Sequence, residues 1–191
     1  MRSKVTIILY LTFVLFSTTA CAATFKGRVI DADTKEPIEG AVVVASWDES
    51  TATVAGGSSR LKDVKETLTD RNGQWKIRGP KGDSFIARIF AMIPGIYYTE
   101  APEFIVFKPG YCSYPAGFGI KACKDRMKVY NFTNSDNIGE TVELPKLTER
   151  EDRLKNLPGP VSGEGADKKQ KKFIELINEE HGNLGLKKIH Y

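Results

Sequence analysis

FKGRVIDADTKEPIEGAVVVASW, residues 25–47, decides how the chain folds. Phe25, Gly27 and Val29 alternate with Lys26 and Arg28, the two-residue period of a half-buried strand. Ala41, Val43, Ala45 and Trp47 share one face of a second strand. The link between them holds turn residues. Asp31, Asp33 and Thr34 can bond nearby backbone, Pro37 fixes φ, and Gly40 admits a φ that other residues avoid. The stretch therefore reads as strand, turn-rich connection, strand.

Strand and turn signals continue downstream. Asp48–Arg60 is rich in Ser, Thr, Gly and Ala and reads as a mobile loop centred on Gly56-Gly57-Ser58-Ser59. Val64–Thr69 returns to strand character. Asp70-Arg71-Asn72-Gly73 reads as a tight hairpin turn, with Asn72 and Gly73 supplying positive φ and Gln74–Ile77 as the partner strand. Trp75 and Ile77 point inward. Phe85–Met92 is the most apolar strand and is expected at the centre. Glu103–Lys108 and Ile138–Leu144 complete about seven short strands, the signature of a β-sandwich. Trp47, Trp75, Phe85 and Phe90 read as core at these alternating positions rather than as a ligand platform.

Three motifs in order carry a resemblance. They are Gly27-x-Val29-x-Asp31 followed by Thr34-x-x-Pro37-Ile38-x-Gly40-Ala41-x-Val43, then Thr69-Asp70-x-x-Gly73-x-Trp75, then Gly110-Tyr111 after a strand. Together they resemble a carboxypeptidase regulatory-like domain over roughly Thr24 to Leu147. The resemblance implies a mainly β fold, a seven-stranded transthyretin-like Greek-key β-sandwich. Such domains commonly accompany others and have no catalysis of their own.

The first residues read as an export signal. Arg2 and Lys4 precede the uncharged apolar run Val5–Phe16, and small residues follow to Ala22. The run is short of the ~20 apolar residues that span a bilayer. Ala20-Cys21-Ala22 suits cleavage after Ala22. Thr18-Thr19-Ala20-Cys21 instead resembles a bacterial lipoprotein box, although Thr18 stands where Leu is usual. There Cys21 would be lipidated, become the first mature residue and anchor the protein to a membrane. Of three cysteines, Cys112 and Cys123 remain, an even number in an exported chain. A disulfide is expected between them, with two free thiols as the alternative. The expected location is periplasm, lipid-anchored outer membrane or cell surface.

Catalytic and metal motifs are missing from the sequence. His181 and His190 both lie near the end, and no His-x-x-Glu pair occurs. Transthyretin-like hydrolases use His and Arg on their strands, and no His falls in this sandwich. Oxidised Cys112 and Cys123 cannot be nucleophiles. Asp31-x-Asp33 and Asp70-x-Asn72 look like fragments of calcium loops, but turn chemistry accounts for both. The reading is of a non-enzyme without cofactor, metal or catalytic residues. Net charge is +4, and Arg2 and Lys4 account for two of these, leaving +2 after processing. That mild excess does not argue for nucleic acid.

Binding could sit on the long stretch Cys112–Asn137, which is too extended for a plain connection. It carries Tyr114, Phe118, Tyr130 and Phe132, and the preceding loop adds Tyr97 and Tyr98. Aromatic faces beside amides suit sugar or peptide recognition. The alternative is a stapled lid whose rings hold it down.

Residues 1–22 thus form the signal, 23–146 the sandwich and 147–191 a helical tail. In the tail, Thr148–Glu151 is a capping box, Pro158-Gly159-Pro160 stops the first helix, and Val161–Asp167 reads as a flexible linker. Lys168–Glu180 reads as an amphipathic helix with Phe173, Ile174 and Ile177 on one face, docked on its own sandwich or on a partner. The functional expectation is a cell-envelope or surface module that binds protein or glycan. The alternative is a structural subunit of a larger exported assembly, docked through that helix. Intact mass of the mature protein tests the processing: lipidation adds acyl chains at Cys21, whereas ordinary cleavage leaves Ala23 first, and the disulfide lowers the mass by two hydrogen atoms.

Overall fold

Val42, Val43, Val44 and Ala45 are all fully buried, although neighbouring residues on a strand point to opposite faces. Their strand is therefore covered on both sides, and the architecture follows from what covers it. The computed structural model describes residues 22–53, 56–83, 93, 95–117, 119–130 and 140–189. The described strands are β1 (Thr24–Asp31), β2 (Val42–Thr53), β3 (Gly56–Leu68), β4 (Gln74–Arg78), β5 (Tyr98–Thr99), β6 (Glu103–Phe107), β7 (Lys128–Tyr130) and β8 (Glu140–Leu144). The described helices are α1 (Lys121–Arg126), α2 (Arg150–Lys155), α3 (Ala166–Lys169) and α4 (Lys171–Asn183).

The chain is mainly β, with two mostly antiparallel sheets. One has the order β4-β1-β8-β7, in which β1 and β8 run parallel. The other has β2 at its centre, β3 along one side, and β6 and β5 end to end along the other. The sheets share one core. Val29, Trp75, Ile77, Val142 and Leu144 come from the first, and Val43, Ala45, Trp47, Phe104 and Val106 from the second. Phe104 meets Phe25 edge-on at 5.5 Å and Trp75 at 5.7 Å between ring centroids. Trp47 and Trp75 are core, as their alternation predicts. Phe85, Phe90 and the apolar stretch around them lie outside the described residues.

Two sequence expectations are corrected here. Asp48–Arg60 is not a loop over its described part. Beyond a bulge at Trp47/Asp48, β2 and β3 stay in register from Asp48↔Leu61 to Thr53↔Gly56. Backbone pairing overrides the turn-prone composition, and Arg60 pairs with Glu49 across the ladder at 2.8 Å. Nor do β3 and β4 form a hairpin. β4 pairs with β1, so the Asp70–Gly73 turn carries the chain from one sheet to the other. Gly73 has φ +72, while Asn72 stays outside the left-handed region. The Gly73 carbonyl accepts from Val29 N–H at 2.8 Å, and a Cβ on Gly73 would sit 2.3 Å from the Val29 carbonyl oxygen. That close approach docks the turn onto β1.

The tail covers the other face of β2. Phe173 and Ile177 of α4 pack on Val42, Val44, Val64 and Phe107, forming a second core. Burial of each side chain contributes about 1.5–3 kcal/mol. Phe173, Ile177, Glu180 and Leu184 repeat at helical spacing and are all buried, whereas Ile174 is only half-buried. The apolar face proposed for a partner is thus spent within the chain. Glu66 of β3 caps the helix, accepting from Lys172 N–H at 3.0 Å and Phe173 N–H at 2.9 Å. At the other end Arg153 of α2 grips buried Glu180 with two bonds, 2.7 and 2.6 Å.

The tail departs from its sequence reading in detail. Leu147 N–H is held by the Gly110 carbonyl, which keeps the chain extended, so α2 starts late and its N-cap, Glu149, makes no side-chain cap bond. The capping box is not used. The linker is not free either. Buried Gln170 bonds both Val161 N–H (2.9 Å) and Val161 carbonyl (2.6 Å), and Gly163 lies so close to Leu61 that a Cβ would meet it at 2.3 Å. Gln170 also breaks the predicted helix into α3 and α4. Phe173→Ala is expected to lower unfolding free energy by about 3–5 kcal/mol, and Ile174→Ala by about 1 kcal/mol, in urea titrations.

Candidate functional site

The three motifs meet in space. Thr69 Oγ donates to the Ile38 carbonyl at 2.6 Å and accepts from Ala41 N–H at 2.9 Å, tying the second motif to the first. Asp31 accepts from Asp33 N–H (2.8 Å) and Thr34 N–H (3.0 Å) and from the Tyr111 hydroxyl, tying the third to the first. Burial alone would raise the Asp31 pKa. The two backbone donors, Tyr111 and the charge of Lys146 outweigh it and hold the carboxyl below its usual range. Tyr111 is pushed up, by burial first and by the Asp31 charge second. Asp70 likewise accepts from Asn72 N–H and Gln74 N–H, both at 2.8 Å. Both carboxylates are engaged in turn chemistry.

Beside this junction lies the Cys112–Cys123 disulfide, with S–S 2.03 Å and both residues fully buried. Ile120 and Leu147 pack around it. Asn156 pins the enclosed loop: its Nδ2 donates to the Tyr111 carbonyl at 2.8 Å and its Oδ1 accepts from Ser113 N–H at 2.8 Å. The loop contains a cis Tyr114–Pro115 bond, and Tyr114 pairs with Val106 of β6 through two backbone bonds of 2.8 Å.

A groove of about 710 Å³ opens along β6, where the tail crosses the sandwich. Phe25, Phe104 and Tyr114 give it aromatic surface, and Pro160 and Val161 of the tail close one wall. Ser46 pairs in register with Glu103, and Asp48 is next on the same face of β2. The chemistry on offer is apolar area with carboxylates and a hydroxyl beside it, which is the makeup of a recognition site.

The aromatic candidates do not form one surface. Tyr114 lines the groove. Tyr97 packs its ring under the Arg60 guanidinium at 4.2 Å, and Tyr98 pairs with Ser50 near the end of the β2–β3 hairpin. Nearby, Asp83 accepts from Thr99 Oγ at 2.6 Å. Burial works to raise its pKa, but the Thr99 and Lys62 donors hold it low. Tyr130 is 52% exposed on β7, in the other sheet. Phe118, Phe132 and Cys21 lie outside the described residues. Sequence reasoning missed Ser46, Asp48 and Glu103. A signal existed: the outward positions of β2 run Val42, Val44, Ser46, Asp48, and the change from apolar to polar marks where the helix cover ends.

No family model and no curated protein matches the chain. Solved structures show partial likeness. A streptococcal ancillary pilin shares 9% identity over 68% of this chain and 31% of its own, with TM-score 0.29. A mutant catechol 1,2 dioxygenase of Acinetobacter radioresistens shares 17% over 68% and 53%, with TM-score 0.32. A 9R-lipoxygenase from Cyanothece shares 18% over 74% and 18%, with TM-score 0.26. The chain spans about half or less of each, and no fold or function follows from scores this low.

The Asp31 carboxyl offers a pH test. Its folded pKa lies below the ordinary aspartate range, so its ionised form adds stability that is present above that range and is lost as pH falls through the lowered folded value. Asp31→Asn keeps the turn acceptor but not the charge. It is expected to be less stable at pH 7 and to lose stability less steeply between pH 4 and 2, read by denaturant midpoints across that range.

Proposed function

We propose that the chain is an exported, non-catalytic module of carboxypeptidase regulatory-like type that binds a protein or glycan ligand in the cell envelope or at the cell surface. On this reading the two sheets are a transthyretin-like Greek-key sandwich. Support for the family reading comes from Thr69, Gly73 and Tyr111, which join its three motifs at Ile38, Val29 and Asp31. Support for export comes from the leader-like sequence and from the buried disulfide, a bond that persists outside the reducing cytosol.

The single observation that carries the binding role is the groove along β6, with aromatic surface and adjacent carboxylates. Its volume falls within the range of about 300–1,000 Å³ usual for ligand pockets. Catalysis has no support in the residues that line it. Among the described lining residues none is His, Cys, Lys or Arg, so the Ser46 hydroxyl beside the carboxylates has no imidazole or amine there to activate it. Ser162, exposed on the tail wall, is a position from which a large side chain fills the groove. Envelope extract passed over immobilised mature protein is expected to leave a ligand on the wild type and not on Ser162→Trp, released with unchanged mass. Equal retention by both proteins, or a ligand released cleaved, overturns the proposal.

A further inference from the structure

The groove is acidic in a chain whose net charge is positive. Among the described residues, Asp48 and Glu103 line it, no Lys or Arg does, and neither carboxylate forms an ion pair. They stand on adjacent strands of one face, Glu103 opposite Ser46 and Asp48 the next residue along that face. Asp48 is half-buried and Glu103 exposed, and two like charges on one face favour a cation beside them. The Lys and Arg residues of this chain that pair elsewhere, such as Lys62 with Glu49 and Asp83, do not supply one here.

The rest of the lining selects the kind of molecule that carries the cation. Pro102, Pro115 and Pro160 line it together with Phe25, Phe104 and Tyr114. Such rigid apolar walls suit an extended chain with small apolar side chains. Sugar recognition draws on directional amide groups beside a ring, and no Asn or Gln is among the described residues that line the groove. We propose that the groove receives an extended peptide segment of a partner protein in which a lysine or arginine sits between apolar residues. Asp48 and Glu103 take the cation, while Tyr114 and the prolines take its neighbours. The inference rests on the groove being the binding surface, as proposed above, and adds the class of ligand.

The test uses the full mature chain and a random heptapeptide library displayed on phage. Peptides retained by the wild type are expected to carry Lys or Arg at one fixed position with apolar residues beside it. Synthetic copies are expected to bind Asp48→Asn/Glu103→Gln about tenfold more weakly, with a smaller salt dependence. They are expected not to bind Ser162→Trp. Circular dichroism and thermal melts establish that each variant is folded. Retained peptides without a basic residue, or an affinity unmoved by the double amide variant, overturn the cationic-peptide assignment. A parallel screen of envelope oligosaccharides separates the two levels. Glycan binding that Ser162→Trp abolishes leaves the binding module standing and sinks the peptide. Absence of both ligands sinks both.

Discussion

Everything else depends on β2 being apolar on both faces. A strand with one buried face needs one neighbour, but Val42 and Val44 point away from the sandwich core that Val43 and Ala45 enter. Left uncovered, that second face would expose a contiguous apolar patch at the centre of a sheet. The tail answers this constraint. Phe173 and Ile177 lie on the patch, and Glu66, from the neighbouring strand, fixes where the helix begins. The sandwich and its tail are thus one packing problem, and a boundary between them at residue 146 has meaning in sequence character more than in stability.

The polar side chains that hold this arrangement share a habit. Asn156, Gln170 and Asn178 each offer an amide to backbone that would otherwise be unpaired. Gln170 bonds both groups of Val161, and Asn178 bonds both groups of Ile189. A side-chain amide carries one donor and one acceptor in a plane, the same pair that a strand neighbour presents. Segments too irregular to join a sheet are thereby fastened without one, and the extended stretch before α3 becomes a defined wall of the groove.

The fold was legible where periodicity and turn chemistry agreed. Val29, Trp75 and Ile77 stand at alternating strand positions in sequence and meet in the core. Cys112 and Cys123 were paired by arithmetic and are joined. What could not be read were the long-range partners. The sequence around Gly73 has the residues of a hairpin turn, yet the contact that directs it to β1 lies forty-odd residues away, at Val29. Asp48–Arg60 has loop composition, yet a ladder holds it. The described aromatic candidates Tyr97, Tyr98, Tyr114 and Tyr130 do not form one surface, because aromatic content does not say which side chains share one. Tyr114 reached the groove through its backbone pairing with Val106, which no local pattern announces. The run of three valines was the clearest unused clue, since continuous apolar residues in a strand signal cover on both sides.

The union of Glu66 with the start of α4 spans 107 residues of chain. A polypeptide delivered from its amino end would therefore present β2 and β3 long before their cover is synthesised or translocated. During that interval the valine face is open to any hydrophobic stranger, and loop closure over such a distance is slow to begin. The last helix acts as the closing clasp of assembly. A chain interrupted before Lys171 would keep its inner core, yet would carry a sticky flank that invites aggregation or capture by a holding chaperone.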